Sequence, residues 1–139
     1  MNTRISNFHH ARLAIVVFAA ATLMQAAPAR AITPAQQLEV LTTLAGRPAQ
    51  PAQGRQFFTA THGREWSCAS CHGSVPVQAG KHAATGKAIT ALAPAANPER
   101  FADTARTEKW FRRNCNDVLG RECTSAEKAD VLAWLMTLK

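Results

Sequence analysis

The stretch "CASCH", Cys68 to His72, decides how the rest of the chain is read. Two cysteines three positions apart fit one helical turn, which presents both sulfurs to one edge of a flat ligand and then delivers an imidazole to one of its faces. Three chemistries use such a pair. A dithiol–disulfide centre needs no adjoining histidine, and a zinc site needs two further ligands, whereas Cys115 and Cys123 are too far apart for a second C-x-x-C knuckle. The histidine points to the third chemistry: one covalently attached haem c, with Cys68 and Cys71 as thioether donors and His72 as an iron ligand.

Upstream, "AQGRQFFTATHG" (Ala52 to Gly63) places Phe57 and Phe58 on a helix that leads into the motif. Before it, "PAQQLEVLTTLAG" reads as a short helix that Gly46 ends. Downstream, Ser74 to Pro98 holds Pro76, Pro94, Pro98, Gly80 and Gly86 and reads as a long irregular loop. Asp103 or Thr104 can cap the next helix, with Trp110, Phe111, Val118 and Leu119 as its apolar positions and Gly120 as its stop. Thr124 and Glu127 form a capping-box signature for a last helix, whose stripe is Ala129, Leu132, Ala133, Leu135 and Met136 with Trp134 beside it. No alternating stretch predicts strands. The expected fold is all-α.

The group opposite His72 determines what the iron can do. Met136 is the one methionine after residue 31, and its place on an apolar stripe argues for packing rather than ligation. His62 lies too close to the motif to reach the other face easily, and His82 in the loop stays open as a ligand. Asn114 is more informative. At 100° per residue it lies within about 40° of Trp110 and Val118 and about 60° of Phe111, in the middle of the apolar face, while Asn116 points away. A carboxamide in that position must find a partner or cost about 1–3 kcal/mol. Either it bonds to backbone or a haem propionate, or its oxygen faces iron, with Trp110 beside it against the haem.

Asn114 opens "NCNDVLGREC", residues 114 to 123. On one continuous helix Cys115 and Cys123 would lie about 12 Å apart, beyond the roughly 7 Å that a disulfide spans. Gly120 allows the chain to turn, so a bridge between them is the reading that export favours, either as a plain staple or as a brace for Asn114. Two free thiols are the alternative.

Export itself is read from the start of the chain. Arg4 and Arg12 precede the apolar run "LAIVVFAAATLM" (Leu13 to Met24), and "ARA" (Ala29 to Ala31) is an A-x-A cleavage site. That run is shorter than the roughly 20 residues of a membrane span. Residues 1–31 are therefore expected to be a cleaved signal peptide and residues 32–139 one monohaem domain in the periplasm. Removing 1–31 takes three of the 16 basic residues and none of the nine acidic ones, leaving a net charge of +4 over 108 residues. With no long basic run, nucleic acid is not an expected partner; the mild charge suits steering toward an acidic protein or plain solubility.

The plan of helix, C-x-x-C-H, long loop and closing helices resembles a class I cytochrome c. The segments "SCASCHG", "ANPERFADTARTEKWFRRNCNDVLGREC" and "AEKADVLAWL" more narrowly resemble the SHP cytochromes (sphaeroides haem protein), high-spin members with asparagine as sixth ligand. The resemblance implies His72 and Asn114 as the two axial ligands and a Cys115–Cys123 disulfide beside them. It also implies transient binding of oxygen, nitric oxide or other small ligands by the reduced protein, with electrons from a dihaem cytochrome c and a membrane cytochrome b. Competing expectations are a low-spin electron carrier ligated by Met136 or His82, and a haem-free thiol–disulfide or zinc protein. An oxygen- or nitric oxide-linked turnover is left open by the sequence, which names no catalytic residue.

Overall fold

The computed structural model describes residues 31–139, so the expected export segment lies outside the described residues apart from Ala31. Helices begin where short polar side chains can take up the first free backbone N–H groups. Thr33 and Gln36 form a capping box on α1 (Pro34–Ala45), and Gly46 closes it with a positive φ of 66°. α2 (Pro51–Thr59) starts on Pro51, whose fixed φ and missing N–H suit a first turn. Ser67 and Ser70 cap α3 (Cys68–His72) reciprocally. Asp103 caps α4 (Thr104–Leu119) and Gly120 ends it at φ 74°. Thr124 and Glu127 form the expected capping box on α5 (Ser125–Leu135).

α5 is the centre of the fold. Phe58 of α2 packs with Val131, Trp134 and Leu135, and Leu41 of α1 packs with Ala129 and Leu132. Every residue from Lys128 to Leu135 is buried. An amphipathic stripe was the expectation; helices on two sides and a cavity on a third bury the whole helix instead. Met136 falls just past its end and is 37% exposed, so it is not the packing residue that its spacing implies. The polar residues drawn inside are paired. Asp130 accepts from Arg47 Nη2 at 2.6 Å, from Arg47 Nη1 at 3.0 Å and from the Gln50 backbone N–H at 2.7 Å, which fixes the α1–α2 connection.

The long loop is more ordered than its prolines and glycines predict. Pro76 O accepts from both Leu92 and Ala93 N–H at 3.0 Å, closing the loop at its neck. Within it β1 (Gly80–Lys81) pairs antiparallel with β2 (Ala88–Ile89), Gly80 opposite Ile89. No side-chain alternation announces two-residue strands. They form because Gly80 lies against the haem-motif helix so closely that a Cβ there would meet Cys71 O at 2.2 Å.

α4 stands off from the α1–α2–α5 core and is tied to it at points along its length. Thr104 Oγ1 donates to Gln37 Oε1 at 2.9 Å, Lys128 bonds Glu108, and Cys115 is disulfide-bonded to Cys123 with Cα atoms 5.6 Å apart. The space that this leaves is the site.

Candidate haem site

A cavity of about 950 Å³ lies between α3, the loop and α4. Cys68, Cys71 and His72 line it from α3, and Trp110 and Asn114 line it from α4. Phe58, Leu92, Phe101 and Leu135 give it an apolar lining. This is the size and polarity expected of a cofactor pocket with a few placed polar groups.

The α3 side is rigid for a local reason. Ser67 Oγ takes the Ser70 N–H at 3.2 Å and Ser70 Oγ takes the Ser67 N–H at 3.0 Å, so one turn is held at the register that puts both sulfurs on the cavity. Burial raises the Cys68 thiol to about 11. That is opposite to the depressed value of a dithiol redox centre. Burial first, and the charge of Arg100 second, lower His72 to about 4, so the imidazole is neutral and keeps a lone pair for a metal. Phe58 lies 6.2 Å from its ring. Cys115 and Cys123, being bonded to each other, are not available to complete a zinc site. Free paired cysteines, a neutral histidine and an apolar cavity fit haem c.

On α4, Asn114 is half-buried at the cavity, and among the described residues its carboxamide has no hydrogen-bond partner. Asn116 differs, donating Nδ2–H back to Arg112 O at 2.9 Å. Trp110 departs from its expected place in a buried stripe. It is 40% exposed at the cavity mouth, with Lys109 Nζ 5.9 Å and Arg113 Cζ 5.6 Å from its ring. Thr107, Cys115 and Val118 are the residues of α4 that are buried, because the helix turns its Trp110–Asn114 face to the cavity rather than to protein.

The other candidate ligands are placed differently. His82 lines the cavity, but its Nδ1 accepts from the Thr85 N–H at 3.3 Å, which puts an N–H rather than a lone pair at Nε2 in the neutral ring. His62 lies against Phe57 with ring centroids 4.4 Å apart and planes tilted by 48°, and bonds Phe57 O at 2.7 Å. Met136 does not line the cavity. Sequence reasoning missed Arg100, Arg106 and Thr107, which also line it. No motif marks them: the turns before α4 bring in Arg100, and the first two turns of α4 bring in Arg106 and Thr107.

The domain-of-unknown-function family DUF1924 matches residues 45–135. The cytochrome c-type protein SHP of Cereibacter sphaeroides is 50% identical over 107 residues, 74% of this chain and 82% of that protein. Cytochrome c'' of Methylophilus methylotrophus is 46% identical over 83 residues, 60% of this chain and 57% of that protein. Among solved structures, oxidised SHP, described as an oxygen-binding cytochrome c, superposes with a TM-score of 0.72 at 48% identity, covering 77% of this chain and 98% of that one. Oxidised cytochrome c'' from Methylophilus methylotrophus gives 0.68 at 34% identity, covering 76% and 94%. The cofactor is accordingly a single haem c, and the fold is of class I cytochrome c type. With its paired cysteines on a helical turn, a neutral histidine and an apolar cavity closed by a stand-off helix, the chain belongs to the SHP-type cytochromes c.

Proposed function

We propose that this protein is a periplasmic high-spin cytochrome, released from residues 1–31 as a 32–139 domain, that binds oxygen or another diatomic ligand when reduced. The observation that carries the reading is the half-buried Asn114 carboxamide, which faces the cavity with no hydrogen-bond partner among the described residues. Haem c supplies an iron that changes oxidation state and can accept a small sixth ligand. His72, neutral and half-buried, would ligate that iron from α3. Asn114 would offer that iron, from α4, a hard, weak oxygen donor that suits the ferric state better than the ferrous and would be given up on reduction. The Cys115–Cys123 bridge next to it would hold the α4 backbone in place as the side chain left. The dihaem cytochrome c and membrane cytochrome b implied by the family resemblance are the proposed electron partners, and the likeness to an oxygen-binding cytochrome supports the choice of ligand.

Optical spectra of the haem-loaded protein, oxidised and reduced, with and without carbon monoxide, test this. High-spin ferric bands and rapid carbon monoxide binding on reduction are expected. Asn114→Ala should change the ferric spectrum and speed ligand binding several-fold, because no side chain then competes for the site. Low-spin spectra indifferent to carbon monoxide would mean a strong sixth ligand and an ordinary electron carrier.

A further inference from the structure

Arg100 is a half-buried guanidinium in the wall of the haem cavity. Its Nη2 donates to Thr90 Oγ1 at 2.7 Å and its Nε to Ala91 O at 3.3 Å. Nη1 has no partner among the described residues, and none of their carboxylates lies within ion-pair distance. Glu99 and Asp103 also line the cavity, but Asp103 is engaged in capping α4 through the Arg106 N–H at 2.8 Å. An arginine drawn even partly out of water ordinarily has an anion to meet.

We propose that Arg100 anchors a propionate carboxylate of the haem, with Arg106 as the second cation at that end of the cavity. Among the described residues neither Arg100 nor the exposed Arg106 is ion-paired, and burial and the nearby charge of Arg106 both lower the pKa of Arg100. A carboxylate entering with the haem would relieve both, and the planar guanidinium fork suits it. The surrounding chain is built to aim the group. Asn97 Nδ2 donates to the same Ala91 O at 3.2 Å, Arg100 N–H closes a turn onto Asn97 O at 2.9 Å, and Thr90 and Ala91 adjoin β2. Phe101 then adopts a left-handed φ of 62°. For a non-glycine residue this costs about 1–2 kcal/mol. It allows Phe101 to pack against both core clusters while its neighbour Arg100 stays on the cavity.

The inference rests on the presence of haem c and is independent of what binds at iron. In the haem-loaded protein, Arg100→Gln is expected to shift the propionate bending band of the resonance Raman spectrum and to lower the midpoint potential, since loss of a cation beside the haem favours the ferric state. Arg100→Lys should recover the potential in part, as charge alone is restored. Arg55→Gln, an exposed α2 change away from the cavity, should leave the band unmoved. An unmoved band in Arg100→Gln, or an equal shift in Arg55→Gln, would overturn the assignment. If Arg100→Gln does not accumulate with haem, Thr90→Val removes the hydroxyl that orients Arg100 and must shift the same band in the same direction; no shift there also overturns it.

Discussion

Gly54 marks the point where α2 crosses α5, and a Cβ there would lie 1.9 Å from Asp130 O. The obstacle is backbone on the most buried helix of the fold, so no side chain can yield to make room. Gly54→Ala is therefore expected to cost about 3 kcal/mol, read as a drop in the thermal midpoint of the haem-loaded protein with its haem spectrum retained. Asp130 shows the same economy of space. Its carboxylate is 5% exposed yet satisfied three times over by Arg47 and Gln50, so a charge inside the core serves as a clasp between α1, α2 and α5. Neither role has a local sequence signal. Gly54 sits inside a helix where glycine is otherwise unfavourable, and its reason is a neighbour 76 residues away.

At the scale of the element, the capping residues behave as their spacing predicts. Glu127 accepts from the Thr124 N–H at 2.8 Å and from Arg121 at 2.6 and 2.9 Å. The hydrogen bond from Arg121 is the largest cause that holds its carboxyl below the ordinary 4.5. A carboxyl lowered on folding stabilises fully above its unfolded value, and the contribution is lost as pH falls through the lower, folded value. Glu127→Gln should thus lower stability at pH 7 by about 1 kcal/mol or less, the pair being partly exposed, and the two proteins should converge in denaturant midpoint as pH falls below 4.5. The Asp103 cap and the Gly46 and Gly120 stops are likewise legible, because caps act within one turn. The β1–β2 pair is not, because its cause is Gly80 against Cys71.

For the molecule as a whole, the cofactor takes the place of core. α1, α2 and α5 pack on one another, whereas α4 reaches that core through the Gln37–Thr104 and Glu108–Lys128 contacts, the disulfide and the partly buried Phe111. In a variant that cannot attach haem, Cys68→Ala with Cys71→Ala, the wall facing α4 has nothing to pack on. Amide exchange is expected to quicken most in α4 and least in α5. Equal protection of the two helices would show that α4 holds its place without the haem. A protein of this size gains much of its stability from what it buries, so the attachment chemistry is also part of the folding problem.

The sequence by itself determined whatever depends on neighbours within a turn: the spacing of Cys68, Cys71 and His72, the caps at Asp103 and Thr124 and the stops at Gly46 and Gly120, and the candidacy of Asn114 from its place among apolar residues. The tertiary structure decided what depends on distant chain. It buried α5 on all sides, left Met136 and much of Trp110 outside, bonded His82 to its own loop, and carried Arg100 into the cavity. Periodicity identifies an apolar face but not what that face meets, and α4 meets the cavity where an ordinary helix would meet protein. That difference explains why an asparagine and a half-exposed tryptophan occupy positions that packing alone would have filled with leucine.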